Sequence, residues 1–220
     1  MNQIISGTAA KKADLIAMNE MGFSSLGLME TASSRIADYI KQKYADQKGS
    51  RILVLSGVGN NGADGIAAAR MLLEDGFDPE VWIVGNLEKA SWEFLYQAVI
   101  YQQLDGLLSF YQPGDLLSDA EICVDGIFGI GMHRAITGEF KSFIDEVNNH
   151  QYGEMIAIDA PSGIDTDTGE LMGAGIRADV TITFGRNKTG LITGAGKEYS
   201  GLILVEDIGI PDSAYQKALD

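Results

Sequence analysis

The chain has 220 residues, of which 45% are hydrophobic, so it can bury a sizeable core, and one domain over residues 1–220 is the default expectation. Its 16 basic and 31 acidic residues give a net charge of −15, which argues against nucleic-acid and membrane-surface partners, since both need clustered lysine and arginine. With no signal-peptide pattern and no run of about 18 apolar residues, we expect a cytoplasmic protein.

Two helices are predicted at the start of the chain, over residues 8–21 and from about Leu26 to Tyr44. In the second, apolar residues recur every four positions and build one face. After these helices, short runs rich in β-branched residues alternate with helical segments. The runs cover 51–55, 80–84, 121–124, 154–158, 179–184 and 202–205, and the helical segments cover 66–75, 88–104 and 139–149. This alternation predicts an α/β fold with a mostly parallel sheet covered on both faces.

Four of the predicted strands end in polar loops that contain glycine. These loops begin at Gly57, Asp125, Asp159 and Gly185. In open parallel sheets, ligands bind beyond the C-terminal ends of the strands, so the topology should gather the four loops at one edge. We therefore predict the ligand site at this edge.

The first of these loops, Gly57 to Gly65, joins a strand to a helix and offers backbone amides and a helix N-terminus to an anion. Its spacing matches a dinucleotide fingerprint, but the next strand ends without the acidic residue that would hold a ribose. A Walker-type loop is excluded because no Lys-Ser or Lys-Thr pair follows the glycines. Asn60, Asn61 and Asp64 indicate coordination of a further group, although a tight turn without a ligand is the simpler alternative.

Two aspartates, Asp125 and Asp159, each follow an apolar strand, and Asn61 and Ser162 belong to the same group of loops. Together they form an oxygen-rich set of the kind that hard cations prefer. Each aspartate could equally be a helix cap or a turn former. The pattern thus leaves open a cation site, a general acid or base, and a purely local role.

Three basic side chains stand in or near these loops. Lys188 and Arg134 are the candidate positive groups for phosphate in this acidic chain, with ordinary surface charge as the alternative. His133 lies in a glycine-rich loop and is a candidate ligand contact.

Five motifs, in this order along most of the chain, resemble those of the NAD(P)H-hydrate epimerase family, also called the YjeF N-terminal domain family. Any one of them is weak alone, but the ordered set is highly specific. The motifs are Leu28-Met29-Glu30-x-Ala32; Gly57-x-Gly59-Asn60-Asn61-Gly62-x-Asp64-Gly65; Asp125-x-Ile127-Phe128-Gly129-x-Gly131 with Arg134; Asp159-x-Pro161-Ser162-Gly163; and Ala178-Asp179-x-Thr181-x-Thr183-Phe184 followed by Lys188-x-Gly190.

The resemblance implies a Rossmann-like three-layer α/β/α sandwich that forms a homodimer. It implies an isomerase that interconverts the R and S forms of hydrated NADH and NADPH (NADHX and NADPHX), so that a separate dehydratase specific for S can restore the cofactor. It also implies one potassium ion (K+) per subunit, held by Asn61, Asp125 and Ser162. The implied substrate contacts are Asn60, Asn61, Gly62, Ala63, Asp64, Gly129, Ile130, Gly131, Met132, His133, Arg134, Ala135 and Asp159.

Epimerisation at C6 of the reduced ring requires the C6–O bond to break and to form again. The ring nitrogen can expel the oxygen and leave an iminium ion, while a carboxyl group protonates the leaving oxygen. The carboxylate then activates water for return to either face. We expect Asp159 to act as this general acid and base.

The chain departs from the family pattern at Ala63, where glycine is usual, and at Gly126 and Ala135, where alanine and proline are more usual. We expect a helical φ at Ala63, which tolerates a methyl side chain at little cost. Two other functional classes stay open, a nucleotide-binding or scaffold protein of the same fold without turnover, and a small-nucleotide hydrolase that uses magnesium. The intact set of Asn61, Asp125, Asp159 and Ser162 favours the epimerase.

Overall fold

The computed structural model describes residues 3–132 and 134–220. In chain order, the first elements are β1 (Ile4–Ile5), α1 (Gly7–Met21), α2 (Ser25–Lys43), β2 (Arg51–Ser56), α3 (Asn60–Glu74), β3 (Asp78–Ile83), α4 (Trp92–Gln103) and β4 (Leu107–Phe110). They are followed by β5 (Ile122–Gly126), α5 (Gly138–Asn149), β6 (Glu154–Ile158), β7 (Val180–Phe184), β8 (Asn187–Lys188), α6 (Gly196–Tyr199), β9 (Leu202–Glu206) and α7 (Asp212–Leu219).

Seven of these strands form one sheet in the order β4-β3-β2-β5-β6-β7-β9, and every neighbouring pair is parallel. From β2 the chain first builds outward through β3 and β4, then returns to β5 and builds in the other direction. The strand order therefore reverses between β2 and β5, which is where open sheets of this kind form a binding crevice. All six predicted strands and the α/β fold class are confirmed.

Alternate residues of β2 point to opposite faces of the sheet, and each face has its own core. Ile52 and Val54 join a cluster with residues of α2, α3 and α4. Leu53 and Leu55 join a second cluster that includes Phe143 and its neighbours on α5. Helices thus cover both faces, which confirms the three-layer sandwich. A third cluster joins the alanine-rich face of α1 to α7.

Two helices begin at other positions than the sequence predicts. The predicted helix over 66–75 begins at Asn60, because the loop residues up to Asp64 form its first turn. The predicted helix over 88–104 is divided into a short 3-10 turn, Leu87–Lys89, and α4. Ser91 separates the two, since its hydroxyl accepts from the Phe94 amide and caps the N-terminus of α4.

No helix within residues 3–132 and 134–220 has the length and apolar character needed to cross a membrane.

Candidate functional site

A cavity of about 880 Å³ opens at the C-terminal ends of β2 and β5, where the strand order reverses. Its volume lies within the roughly 300–1,000 Å³ that small-molecule sites occupy. The loops after these strands form one side, and α1 and α2 contribute the other. The predicted substrate contacts that line this cavity are Asn60, Asn61, Asp64, Gly129, Ile130, Gly131, Met132, Arg134, Ala135, Asp159 and Lys188.

The cavity wall does not include two of the predicted substrate contacts, Gly62 and Ala63. Both are buried in the first turn of α3, and a Cβ on Gly62 would lie only 1.8 Å from the Gly57 carbonyl oxygen. Ala63 is fully buried and does not have a positive φ, so the methyl group fits the helical backbone as expected. The remaining predicted contact, His133, lies outside the described residues.

The N-terminus of α3 faces the cavity and is suited to an anion. Gly59 is its N-cap, and no side chain among the described residues caps this helix end. The first backbone N–H groups are therefore available to a ligand, as at other phosphate-binding helix N-termini. The loop before α3 is tightly packed, because a Cβ on Gly57 would lie 2.0 Å from the Ile127 carbonyl oxygen.

Asp159 and Lys188 form a buried ion pair on the cavity wall. The Lys188 ammonium lies 2.5 Å from Asp159 Oδ1, and the two side chains are 2% and 12% exposed. The same ammonium also donates to Thr183 Oγ1 at 2.8 Å and to the Phe184 carbonyl at 2.9 Å. These three contacts use its three protons. Lys188 is therefore directed at Asp159, whereas its predicted role would require it to point at a phosphate group.

Asp159 has a strained backbone, with a φ of 63°; Asp105 is the one other non-glycine residue among those described whose φ is positive. Left-handed conformations are uncommon for residues with a Cβ, and aspartate tolerates them better than most. Two donors besides Lys188 reach Oδ1, namely Thr183 Oγ1 and the Phe184 amide, both at 3.1 Å. The turn after β6 thus fixes this carboxylate at the edge of the cavity.

Two further carboxyl groups line the same cavity close to Asp159. Burial raises the pKa of Asp14 to about 7, with repulsion from Asp159 adding to the increase and Lys188 opposing it. Burial also raises the pKa of Asp64 well above its usual value, and Asp159, Asp14 and Glu93 add to this increase. The site therefore places beside the Asp159–Lys188 pair two carboxyl groups whose surroundings favour the protonated form.

Sequence reasoning did not identify Asp14 as a site residue. Its signal is a carboxylate on an otherwise small and buried helix face, since Asp14 follows the buried Ala10 by four residues and precedes the buried Ala17 by three. The cavity also contains Tyr215 of α7, which no motif indicated.

A second group of oxygen atoms lies behind the cavity wall, around Asp125. Asp125 and Ser162 are both fully buried, and the Ser162 hydroxyl donates to Asp125 Oδ1 at 2.6 Å. The same hydroxyl accepts from the Phe128 amide at 2.9 Å. Burial raises the pKa of Asp125 to about 6, although hydrogen bonds from Ser162 and Ile127 oppose this increase.

Asn61 connects this group to the cavity. Its side-chain Oδ1 lies 2.9 Å from the position that a Cβ on Gly129 would occupy, so it is packed against the loop that follows Asp125. Its Nδ2 is buried without a hydrogen-bond partner among the described residues. Of the three predicted cation ligands, Asp125 and Ser162 are in direct contact, and Asn61 packs against the loop that follows Asp125.

The rim of the cavity carries three exposed cationic side chains, Lys11, Lys89 and Arg134. They are placed to attract an anionic ligand into a protein whose net charge is −15. Together with the N-terminus of α3, they add positive charge to a cavity that also carries the carboxyl groups of Asp14, Asp64 and Asp159.

Comparisons with known proteins agree with this arrangement. A family model described as "YjeF-related protein N-terminus" matches residues 25–190. A protein of Limosilactobacillus fermentum named NAD(P)H-hydrate epimerase is 40% identical over 207 residues, which cover 93% of this chain and 96% of the relative. A protein of the same name from Oenococcus oeni is 34% identical over 206 residues, covering 94% of this chain and 96% of the relative.

A solved structure has the same fold. The crystal structure of yeast ynu0, YNL200c, matches with a TM-score of 0.83 at 22% sequence identity, and the match covers 98% of this chain and 93% of the yeast chain.

Proposed function

We propose that this chain, which belongs to the family of YjeF-related N-terminal proteins, is an NAD(P)H-hydrate epimerase, because relatives of that name are similar to it over nearly its whole length and theirs. The substrates would be NADHX and NADPHX, and the reaction would interconvert their R and S forms. The observation that carries this proposal is the Asp159–Lys188 pair on the wall of the 880 Å³ cavity, which lies where the strand order of the sheet reverses.

In the proposed binding mode, the two ends of the site recognise different parts of the dinucleotide. The diphosphate would bind the free amides of the α3 N-terminus, with Lys89 and Arg134 at the rim. The hydrated ring would lie against Asp159, the residue that the ammonium of Lys188 orients. Asn60 and Asp64 line the same cavity and would contact the substrate.

Asp159 would act as the proton carrier of the reaction. When its carboxylate accepts a proton from water, that water can attack C6 of the iminium ion, and the reverse step returns the proton to the leaving oxygen. Lys188 would keep the carboxylate in place and share in the proton transfer through its hydrogen bond. General acid–base catalysis of this kind contributes about 10²–10⁴-fold in rate.

We propose a potassium site formed by Asn61, Asp125 and Ser162. The buried Asp125 has hydrogen-bond donors but no ion-pair partner within residues 3–132 and 134–220; the Ser162 hydroxyl contacts it, and the Asn61 side chain packs against the loop that follows it. An alkali cation held there would neutralise the carboxylate and fix the loops that shape the cavity.

No three His, Cys, Asp or Glu side chains in the described part of the chain are arranged to share a metal ion, which makes a magnesium-dependent hydrolase less suited to these residues.

Thermal unfolding tests the cation site without any activity measurement. Potassium chloride should raise the melting temperature above that in an equal concentration of tetramethylammonium chloride, because the ion binds only the folded state. Asp125→Asn should remove this difference. An equal melting temperature in the two salts for the wild-type protein would contradict the site.

We also propose that two copies associate through α4. The outward side chains Trp92, Leu95, Tyr96 and Val99 are each about half exposed, at 56%, 48%, 47% and 54%. The one charged residue of the helix, Glu93, is buried and accepts from the Ser25 hydroxyl. Because the chain carries a charge of −15, an uncharged apolar face is where two copies approach with the least repulsion.

Light scattering after size exclusion tests this association. Leu95→Glu should convert dimers to monomers, since it places a charge within the apolar face. Leu116→Glu is the matched control, because Leu116 is 87% exposed outside α4, and it should leave the dimer intact. A monomeric wild-type protein, or a dimeric Leu95→Glu variant, would refute the α4 interface.

The epimerase proposal is tested with separated substrate forms. Purified R-NADHX and S-NADHX should each reach the same mixture faster with the protein than without it, as followed by chromatography. In a coupled reaction, a separate S-specific dehydratase should then consume the whole of a mixed sample. Binding of NADHX without faster equilibration would favour the non-catalytic nucleotide-binding protein instead.

A further inference from the structure

We propose that Asp14 is a second catalytic carboxyl group, which serves one face of the hydrated ring while Asp159 serves the other. The inference rests on the proposed epimerase function and deepens it. Asp14 lies on α1, whereas Asp159 lies in the turn after β6, and both line the cavity. The two carboxyl groups therefore reach the ligand from different elements of the fold.

An epimerisation has a specific need for two such groups. The hydroxyl leaves from one face of the ring, and water must add to the other face. A single carboxyl group on one side would have to serve both faces, or the ring would have to turn over within the cavity. Two groups on separate elements remove that requirement, since each can handle the proton of its own face.

The proton and electron balance closes without a further reactant. The Asp14 carboxyl group gives its proton to the C6 hydroxyl, and the C6–O bond breaks as the ring nitrogen lone pair forms the iminium bond and water leaves. A second water attacks C6 on the opposite face and gives its proton to the Asp159 carboxylate. The enzyme now holds a carboxylate at Asp14 and an acid at Asp159, which is the state required for the reverse direction.

The electrostatic surroundings suit Asp14 to this exchange. The groups that face it are Asp159 and Lys188 from the strand ends, Asp64 from α3 and Tyr215 from α7, with Lys11 on its own helix. Because its pKa is raised to about 7, Asp14 can hold or release a proton near neutral pH. A general acid is most effective when its pKa lies near the working pH.

Asp64 is less suited to the same role. Its pKa is raised well above the usual value by burial and by three neighbouring carboxyl groups. Its ionised form is therefore costly, so Asp64 would keep its proton and donate a hydrogen bond to the substrate throughout the reaction. This difference separates the two acids experimentally.

The test is the pH dependence of epimerisation after subtraction of the spontaneous rate. For the wild-type protein, kcat/KM should fall as the pH rises through about 7, because the acid form of Asp14 is lost. Asp14→Asn should lower kcat by about 10²–10⁴-fold. It should also leave KM little changed and abolish the fall near pH 7. Asp14→Glu should restore part of the rate, and its kcat/KM should again fall with rising pH, which gives the pH profile a falling limb.

Two controls make the result decisive. Glu20→Gln removes the same charge from the same helix at an exposed position and should leave the pH profile unchanged. Asp64→Asn should still show the fall in kcat/KM near pH 7, even if its overall rate is lower than that of the wild-type protein. An Asp14→Asn variant that is as active as wild type, or slower but with its limb intact, would overturn the inference. Failure of the wild-type protein to accelerate equilibration would instead overturn the proposed function and this inference with it.

Discussion

Replacing Lys188 by methionine is expected to destabilise the protein strongly. The substitution keeps the length and apolar stem of the side chain but removes the ammonium that lies 2.5 Å from Asp159 Oδ1. Asp159 would keep two neutral donors at 3.1 Å and would lose its counter-charge in a site where its side chain is only 12% exposed. Breaking a buried pair in this way costs about 3–5 kcal/mol, since the remaining charge is uncompensated.

The size of this effect can be measured by urea and thermal unfolding at pH 7. For a protein of this length, each kcal/mol shifts the melting temperature by about 2–4 °C, so the loss should be roughly 6–20 °C. Lys217→Met is the matched control, because Lys217 pairs with Glu20 at 2.7 Å with both side chains more than half exposed. It should cost less than about 1 kcal/mol.

A double-mutant cycle shows whether the cause is the uncompensated charge. Combining Lys188→Met with Asp159→Asn should be less destabilising than the sum of the two single changes, by about 0.5–3 kcal/mol. A loss for Lys188→Met no greater than that for Lys217→Met would refute the reasoning. So would strict additivity in the double variant.

Three further changes test other parts of the account. Ser162→Ala removes the 2.6 Å hydrogen bond to the buried Asp125 and should cost about 1.5–3 kcal/mol in urea unfolding; no loss would show that this bond is unimportant. Gly57→Ala places a Cβ 2.0 Å from the Ile127 carbonyl and should destabilise by about 1–3 kcal/mol, whereas a neutral result would contradict the close packing. Asp14→Asn should stabilise the protein at pH 8 and much less at pH 4. The reason is that the pKa of Asp14 rises from 3.8 to about 7 on folding, so this carboxyl group opposes folding increasingly as the pH rises between those values. Equal effects at both pH values would refute the shifted titration.

The sheet and the position of the site could be predicted from the sequence because their signals are local. Buried parallel strands read as largely apolar runs, and 154–158 is such a run, with bounds identical to those of β6. The C-terminal ends of such strands must meet at one edge, so Asp125, Asp159 and the loop after Gly57 could be grouped without coordinates. By contrast, β4 is an edge strand of only four residues, exposed at both ends, and the sequence did not predict it.

The roles of Asp14 and Lys188 in the site could not be predicted because they depend on tertiary placement. Asp14 reaches the cavity only because α1 packs on α7 beside the strand ends, and nothing near it in the sequence indicates that neighbourhood. Lys188 looked like a phosphate ligand, whereas the fold directs its three protons to Asp159, Thr183 and Phe184. The start of α3 at Asn60 was not predicted either. Asn and Gly have low helix propensity in a helix interior, so the sequence Asn60-Asn61-Gly62 indicates a loop.

The central claim is that Asp159, oriented by Lys188, transfers the proton in epimerisation, and one rate comparison tests it most directly. The measurement is the initial rate at which pure R-NADHX becomes S-NADHX with wild-type protein and with Asp159→Asn, each corrected for the spontaneous rate. Asn keeps the shape of the side chain but cannot carry the proton, so we predict a loss of about 10²–10⁴-fold with NADHX still bound. A wild-type rate in a folded Asp159→Asn variant would contradict the account.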